Sequence, residues 1–182
     1  MDQLKNVKEH RNRTVCLVRN VMLKRALHNV DPEPKLNFWR ITYGNLMDVA
    51  VIEWCKTFGS DSEGGHWKEV VDNHDSFRSG LLDQLGISQD RWAEYWKEMK
   101  RYRDKRAAHA DFSVEVPDFP CFDIALKSAY YYYQFLIELK PELVAGGEPT
   151  DLRSYASDFE ALAKKAAQAA IKATDRLRET VY

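Results

Sequence analysis

The stretch QDRWAEYWKEMKRYRDKRAAHAD, residues 89–111, decides the fold. Trp92, Trp96 and Met99 recur at i, i+4 and i+7, a spacing that gathers side chains on one face of an α-helix and scatters them across a strand. Ser88, just before the first turn, can cap the helix through its side-chain oxygen, and Gly86 closes whatever precedes it. One turn beyond Met99 the apolar stripe receives Arg103, and an arginine on a core-facing stripe needs a partner or a task. After Asp111 the pattern lapses into FSVEVPDFP, whose two prolines end the helix. His109 therefore falls near a helix end.

The same reading extends in both directions and predicts an all-α bundle. A first helix over residues 3–29 carries Leu4, Val7, Val15, Val18, Met22 and Leu27 and meets DPEP, which cannot continue it. A second, residues 37–58, sets Trp39, Leu46, Val49, Ile52 and Cys55 near one face, with Gly59 as its C-terminal cap. SDSEGG is a loop by composition, and two short helices over 66–73 and 75–85 connect it to the stretch above. Beyond the prolines, Phe122, Leu126, Ala129, Tyr133 and Leu136 define a helix that stops at Lys140-Pro141. After VAGGEP comes a long last helix, 152–181, with Leu152, Tyr155, Phe159, Leu162, Ala166, Ala170 and Leu177 as its stripe and alanines that permit close approach to a neighbour. No strand pattern, internal repeat or linker interrupts this order, so residues 1–182 are expected to form a single domain with long terminal helices.

Composition narrows the setting. No stretch approaches the roughly 20 apolar residues that span a bilayer, and the charged start MDQLKNVKEHRNRTV lacks the apolar core of a signal peptide, so a cytoplasmic protein is expected. Cys16, Cys55 and Cys121 are odd in number, widely spaced and set among apolar neighbours, which predicts buried thiols in a reducing compartment. A net charge of −1 makes a general nucleic-acid clamp implausible, so any polyanion site must be a patch. The candidate patch is Lys97–Arg106, where Lys100, Arg101, Lys105 and Arg106 supply a local positive field that can attract phosphates without reading sequence. On an ideal helix Arg103 and His109 would point about 120° apart. They converge only if the helix ends early or a second chain contributes.

Arg103, Asp104, four residues and then His109 resemble the R-[N/D]-x4-H signature of the HEPN superfamily, the higher eukaryotes and prokaryotes nucleotide-binding domains. FWRITYGNLMDVAVIEWCKTFGS, then HWKEVV, then YRDKRAAHAD look, in that order, like the branch related to abortive-infection factors of bacterial phage defence, a resemblance covering residues 38–111. The resemblance implies a HEPN-type helical core and homodimers whose motifs face each other. It also implies metal-independent RNA cleavage that leaves 2′,3′-cyclic phosphate ends, with a toxin's need for an antitoxin or regulatory partner. Carried onto this sequence, Arg103 and His109 would be the catalytic pair, Asp104 would orient one of them, and Lys100, Arg101, Lys105 and Arg106 would hold the RNA backbone. Neither cofactor nor metal is implied. Some relatives place a modifiable tyrosine two residues after the histidine, where this chain has Asp111. Other HEPN proteins do not cleave RNA, so the alternative is a non-catalytic module that binds a nucleotide or a protein.

Other residues admit blander readings. Glu63 and His66 have the E-x-x-H spacing of di-iron bundles, but two glycines between them oppose a helix. His66, Asp72, His74 and Asp75 match no familiar metal pattern, and His66 more simply starts a helix. His10 and His28 are expected at the surface or at helix ends. Of the run Tyr130–Tyr133, Tyr133 is expected in the core and Tyr131 and Tyr132 nearer the surface, with burial at a dimer contact or stacking on RNA bases as their uses.

Overall fold

A computed structural model of the chain describes residues 3–62, 64–107, 120–142 and 147–177. Among these it holds six α-helices and no strand: α1 (Gln3–Val30), α2 (Asn37–Phe58), α3 (His74–Leu85), α4 (Gln89–Tyr102), α5 (Phe122–Leu139) and α6 (Leu152–Thr174). No helix among the described residues is long and apolar enough to cross a membrane. The caps are those that the sequence marks. Ser88 Oγ accepts the Arg91 N–H, Gly86 ends α3 in the left-handed conformation at φ +67°, and the Gly59 N–H bonds the Cys55 carbonyl at 2.8 Å. The predicted helix 66–73 is only a 3-10 turn, Trp67–Glu69. Asn73 serves as the N-cap of α3, accepting the Ser76 N–H at 3.0 Å, and the segment left before it is too short to repay helix nucleation.

Helix α1 is the spine of the bundle, packed along α2, α5 and α6. Its 28 residues span about 42 Å. Tyr43 of α2 ties the end of α1 to its neighbour by donating its hydroxyl to the carbonyls of Leu27, which also takes the Asp31 N–H, and of Asp31 just past the helix end. Helix α4 runs back along α2, since its Trp96 indole N–H reaches the Phe58 and Gly59 carbonyls while its Tyr102 hydroxyl reaches Asp48. Between these helices Trp54 is fully buried among Phe58, Trp92 and Tyr95 and donates to Ser128 Oγ of α5 at 3.1 Å.

Helix α2 turns Met47, Ala50, Val51 and Trp54 inward beside Cys55, whereas Val49 on the predicted face is exposed, and three further expectations need correction. His10 and Tyr132, both placed near the surface by the sequence, are completely buried, and each satisfies the other: Tyr132 Oη lies 2.8 Å from His10 Nδ1. Pairing offsets the cost of burying the hydroxyl and Nδ1, while the buried Nε2 has no closer contact among the described residues than the Glu69 carboxylate at 3.5 Å. Burial lowers the His10 pKa, with Glu69, 3.5 Å from Nε2, partly opposing the shift. Second, α6 presents Leu152, Ala156, Ala163 and Ala167 to the bundle, while Leu162 is 66% and Leu177 56% exposed. Small side chains let α6 close onto α1 along that face, one step around the helix from the predicted stripe; the helix ends at Thr174, short of the predicted Val181, and residues 178–181 lie outside the described residues. Third, only Cys55 is buried. Cys16 is half-buried and Cys121 is exposed, because Cys121 sits at the N-cap of α5 where its carbonyl takes the Tyr95 hydroxyl.

Candidate functional site

Helix α4 carries Arg103 to its place by ordinary packing. Tyr95, Met99 and Tyr102 are buried on its inner side and fix its rotation against α2. The Arg103 N–H is shared between the Met99 and Lys100 carbonyls, and from there the chain widens into a π-helical turn, Arg103–Ala107. Such i→i+5 turns are rare and recur where a helix must present a side chain out of register. This one packs against α2 and α4, and Ala107 rests on the core.

Within the turn the Arg103 side chain is 17% exposed and donates from Nε to Asp104 Oδ1 at 2.8 Å. A carboxylate on Nε orients the guanidinium plane, and Arg103 is partly sheltered while Asp104 is exposed to solvent. The preceding residue, the buried Tyr102, donates to Asp48 Oδ1 of α2 at 2.7 Å. Burial first, and then Asp48, push the Tyr102 hydroxyl far up, so it remains a neutral donor. The cations spread around this centre. Lys100 Nζ stands 4.3 Å over the Trp96 ring and the Arg106 guanidinium 5.9 Å over Tyr102, while Arg101 and Lys105 are exposed. Aromatic rings thus hold two of the four cations in defined positions beside Arg103.

The structure brings Arg103, Asp104, Lys100, Arg101, Lys105 and Arg106 together on one end of α4. His109 lies outside the described residues, as do Asp111 and Glu63. No group of three His, Cys, Asp or Glu among the described residues is placed to hold a metal ion, and His66 caps the 3-10 turn, its Nδ1 accepting the Lys68 N–H. Sequence reasoning missed Asp48 and the π-helical turn. Asp48 is 54 residues from the tyrosine it binds, and the widened turn leaves no local signature.

No family model, no curated protein and no solved structure matches the chain.

Proposed function

We propose that the protein is a metal-independent endoribonuclease of HEPN type, working as a cytoplasmic toxin or phage-defence effector under the restraint of an antitoxin or similar partner. The observation that carries this reading is the Arg103-Asp104-x4-His109 motif, with Arg103 clamped by Asp104 at the end of an aromatic-anchored basic patch. In the proposed reaction His109 takes the proton from a ribose 2′-OH. The 2′-oxygen bonds to the adjacent phosphorus as the bond to the 5′-oxygen breaks, and the protonated histidine returns that proton to the leaving oxygen. The products are a 2′,3′-cyclic phosphate and a 5′-hydroxyl. Arg103 holds the phosphate oxygens as charge develops on them, and Lys100, Arg101, Lys105 and Arg106 attract the flanking phosphates. Two copies paired about a two-fold axis would set the motifs across one cleft.

The test is cleavage of total RNA and of tRNA by the purified protein with a chelator present, beside His109→Ala and Arg103→Ala. The expected result is cyclic-phosphate ends from the wild type and a fall of about 10²- to 10⁴-fold in His109→Ala, the range of a lost proton-transfer group. Equal activity in both proteins refutes the assignment of His109. No cleavage by a folded wild type, with RNA still bound, favours the binding module instead.

A further inference from the structure

A second feature lies along α4 from Arg103. Where the end of α2, the turn after it, α3 and α4 meet, a pocket of about 200 Å³ is walled by Trp67, Trp92 and Trp96 and edged by His66, Lys68 and Arg78. This volume is below that of a drug-sized site and suits one planar ring. Its acceptors, the Asp61 carboxylate and the Phe58 and Gly59 carbonyls, are engaged by Lys68 and Trp96, which leaves donors as the groups open to a ligand. The Trp96 indole N–H is engaged by the Phe58 and Gly59 carbonyls at 2.9 Å, but those of Trp67 and Trp92 meet no acceptor among the described residues. His66 is 4% exposed; its Nδ1 accepts the Lys68 N–H, so the proton sits on Nε2, which has no acceptor among the described residues and is not sealed from solvent. Burial lowers its pKa to about 4, so the ring is neutral at physiological pH and keeps that single donor. Lys68 is neutralised by Asp61 at 2.7 Å, whereas Arg78 has no carboxylate partner among the described residues. Aromatic walls, indole and imidazole N–H groups with no acceptor among the described residues, and a cation with no carboxylate partner there suit a flat ring bearing carbonyl acceptors, joined to a phosphate.

The pocket's direction matters as much as its lining. Trp96 and Arg103 are seven residues apart, which on a helix is about 10 Å along the axis and nearly the same face. Lys100 stands between them, over the Trp96 ring. At about 3.4 Å per stacked nucleotide, that distance is about three nucleotides of a strand. From this we infer that the pocket is a base-recognition subsite, taking one carbonyl-bearing base, uracil before cytosine, from a single RNA strand that passes Lys100 to Arg103. The strand's path rests on the ribonuclease reading; the pocket's preference for such a nucleotide does not.

Three of the walls are tryptophans, so intrinsic fluorescence reports occupancy directly. The experiment titrates the full chain with UMP, CMP and an eight-nucleotide oligouridylate whose 2′-hydroxyls are methylated to block cleavage, and repeats each with Arg78→Gln, Trp92→Phe and Arg103→Ala. The expected result is saturable quenching by UMP, weaker binding of CMP, and a loss of about tenfold for UMP in Arg78→Gln, the usual effect of losing a charged hydrogen-bond partner. Trp92→Phe keeps the ring and loses the donor, so it should weaken UMP and narrow the gap to CMP. The oligonucleotide should bind at least about tenfold tighter than UMP, with Arg103→Ala reducing its affinity and leaving UMP unchanged. Absence of UMP quenching, or quenching indifferent to both pocket variants, overturns the subsite. UMP binding in the pocket with no gain for the oligonucleotide overturns the strand path and makes the pocket a site for free mononucleotides. Should all binding results hold while the wild type fails to cleave unmodified RNA, the ribonuclease reading falls and the subsite stands.

Discussion

The buried imidazole of His66 makes a pH dependence that can be worked from its surroundings. The ring is 4% exposed, and its pKa is lowered from 6.5 to about 4, by burial first and then by the Lys68 ammonium, with Asp61 and Glu69 opposing. Because the native pKa is the depressed one, the unfolded chain binds more protons between about pH 7 and 4, and stability falls as pH falls through that window. The full loss is about 3 kcal/mol, of which about 2 kcal/mol falls between pH 7 and 5. His10, also lowered by burial, adds to the wild-type loss in the same direction. His66→Asn separates the two, since an asparagine oxygen can accept the Lys68 N–H in place of Nδ1 but does not titrate. Urea unfolding of both proteins at pH 7, 6 and 5 should show the variant losing about 2 kcal/mol less than the wild type over this range. Equal losses in the two proteins would refute the reasoning, because they would mean that His66 is free to take a proton in the native state.

Two further substitutions probe the packing that holds the pocket and the core. Gly65 has φ +98°, and a Cβ there would overlap the Arg13 guanidinium, so Gly65→Ala should cost about 1–3 kcal/mol in urea unfolding; a neutral result would show that both the turn and Arg13 relax freely. Ser128→Ala strands the buried Trp54 N–H and should cost about 1–3 kcal/mol, and a Trp54→Phe background should recover part of it, since no donor then remains to be satisfied.

What was legible in the sequence was what local spacing determines. The Ser88 cap, the Gly86 stop and the place of Met99 on the apolar stripe follow from residues within a few positions of one another, but the inner side of α4 is Tyr95, Met99 and Tyr102, with the predicted Trp92 and Trp96 only partly buried beside it. Long-range pairing was not legible. His10 reads as a surface residue until Tyr132, 122 positions away, supplies its partner, and nothing near either residue signals the other. The candidate pocket is hidden for the same reason: Arg78 comes from α3, Trp92 and Trp96 from α4, and His66 and Trp67 from the turn between α2 and α3. Each alone is an ordinary charged, aromatic or capping residue. Along α6 the difficulty was different, because alanine-rich sequence offers several weak stripes and only the fit to α1 selects among them.

The π-helical turn explains how one helix can serve both the core and a charged site. Met99 and Tyr102 are buried to 1% exposure or less, so a straight α-helical continuation would keep carrying the basic residues that follow past α2 in the same register. Widening the turn at Arg103 shifts that register. Asp104, Lys105 and Arg106 emerge exposed, while Arg103 itself stays partly sheltered, bonded to Asp104. The apolar spacing that sets the rotation of α4 against α2 therefore also sets where Arg103 stands, and the same spacing places Trp96 about 10 Å back along that face. On the proposed reading, the pocket and the arginine are in register because one amphipathic helix supplies residues to both.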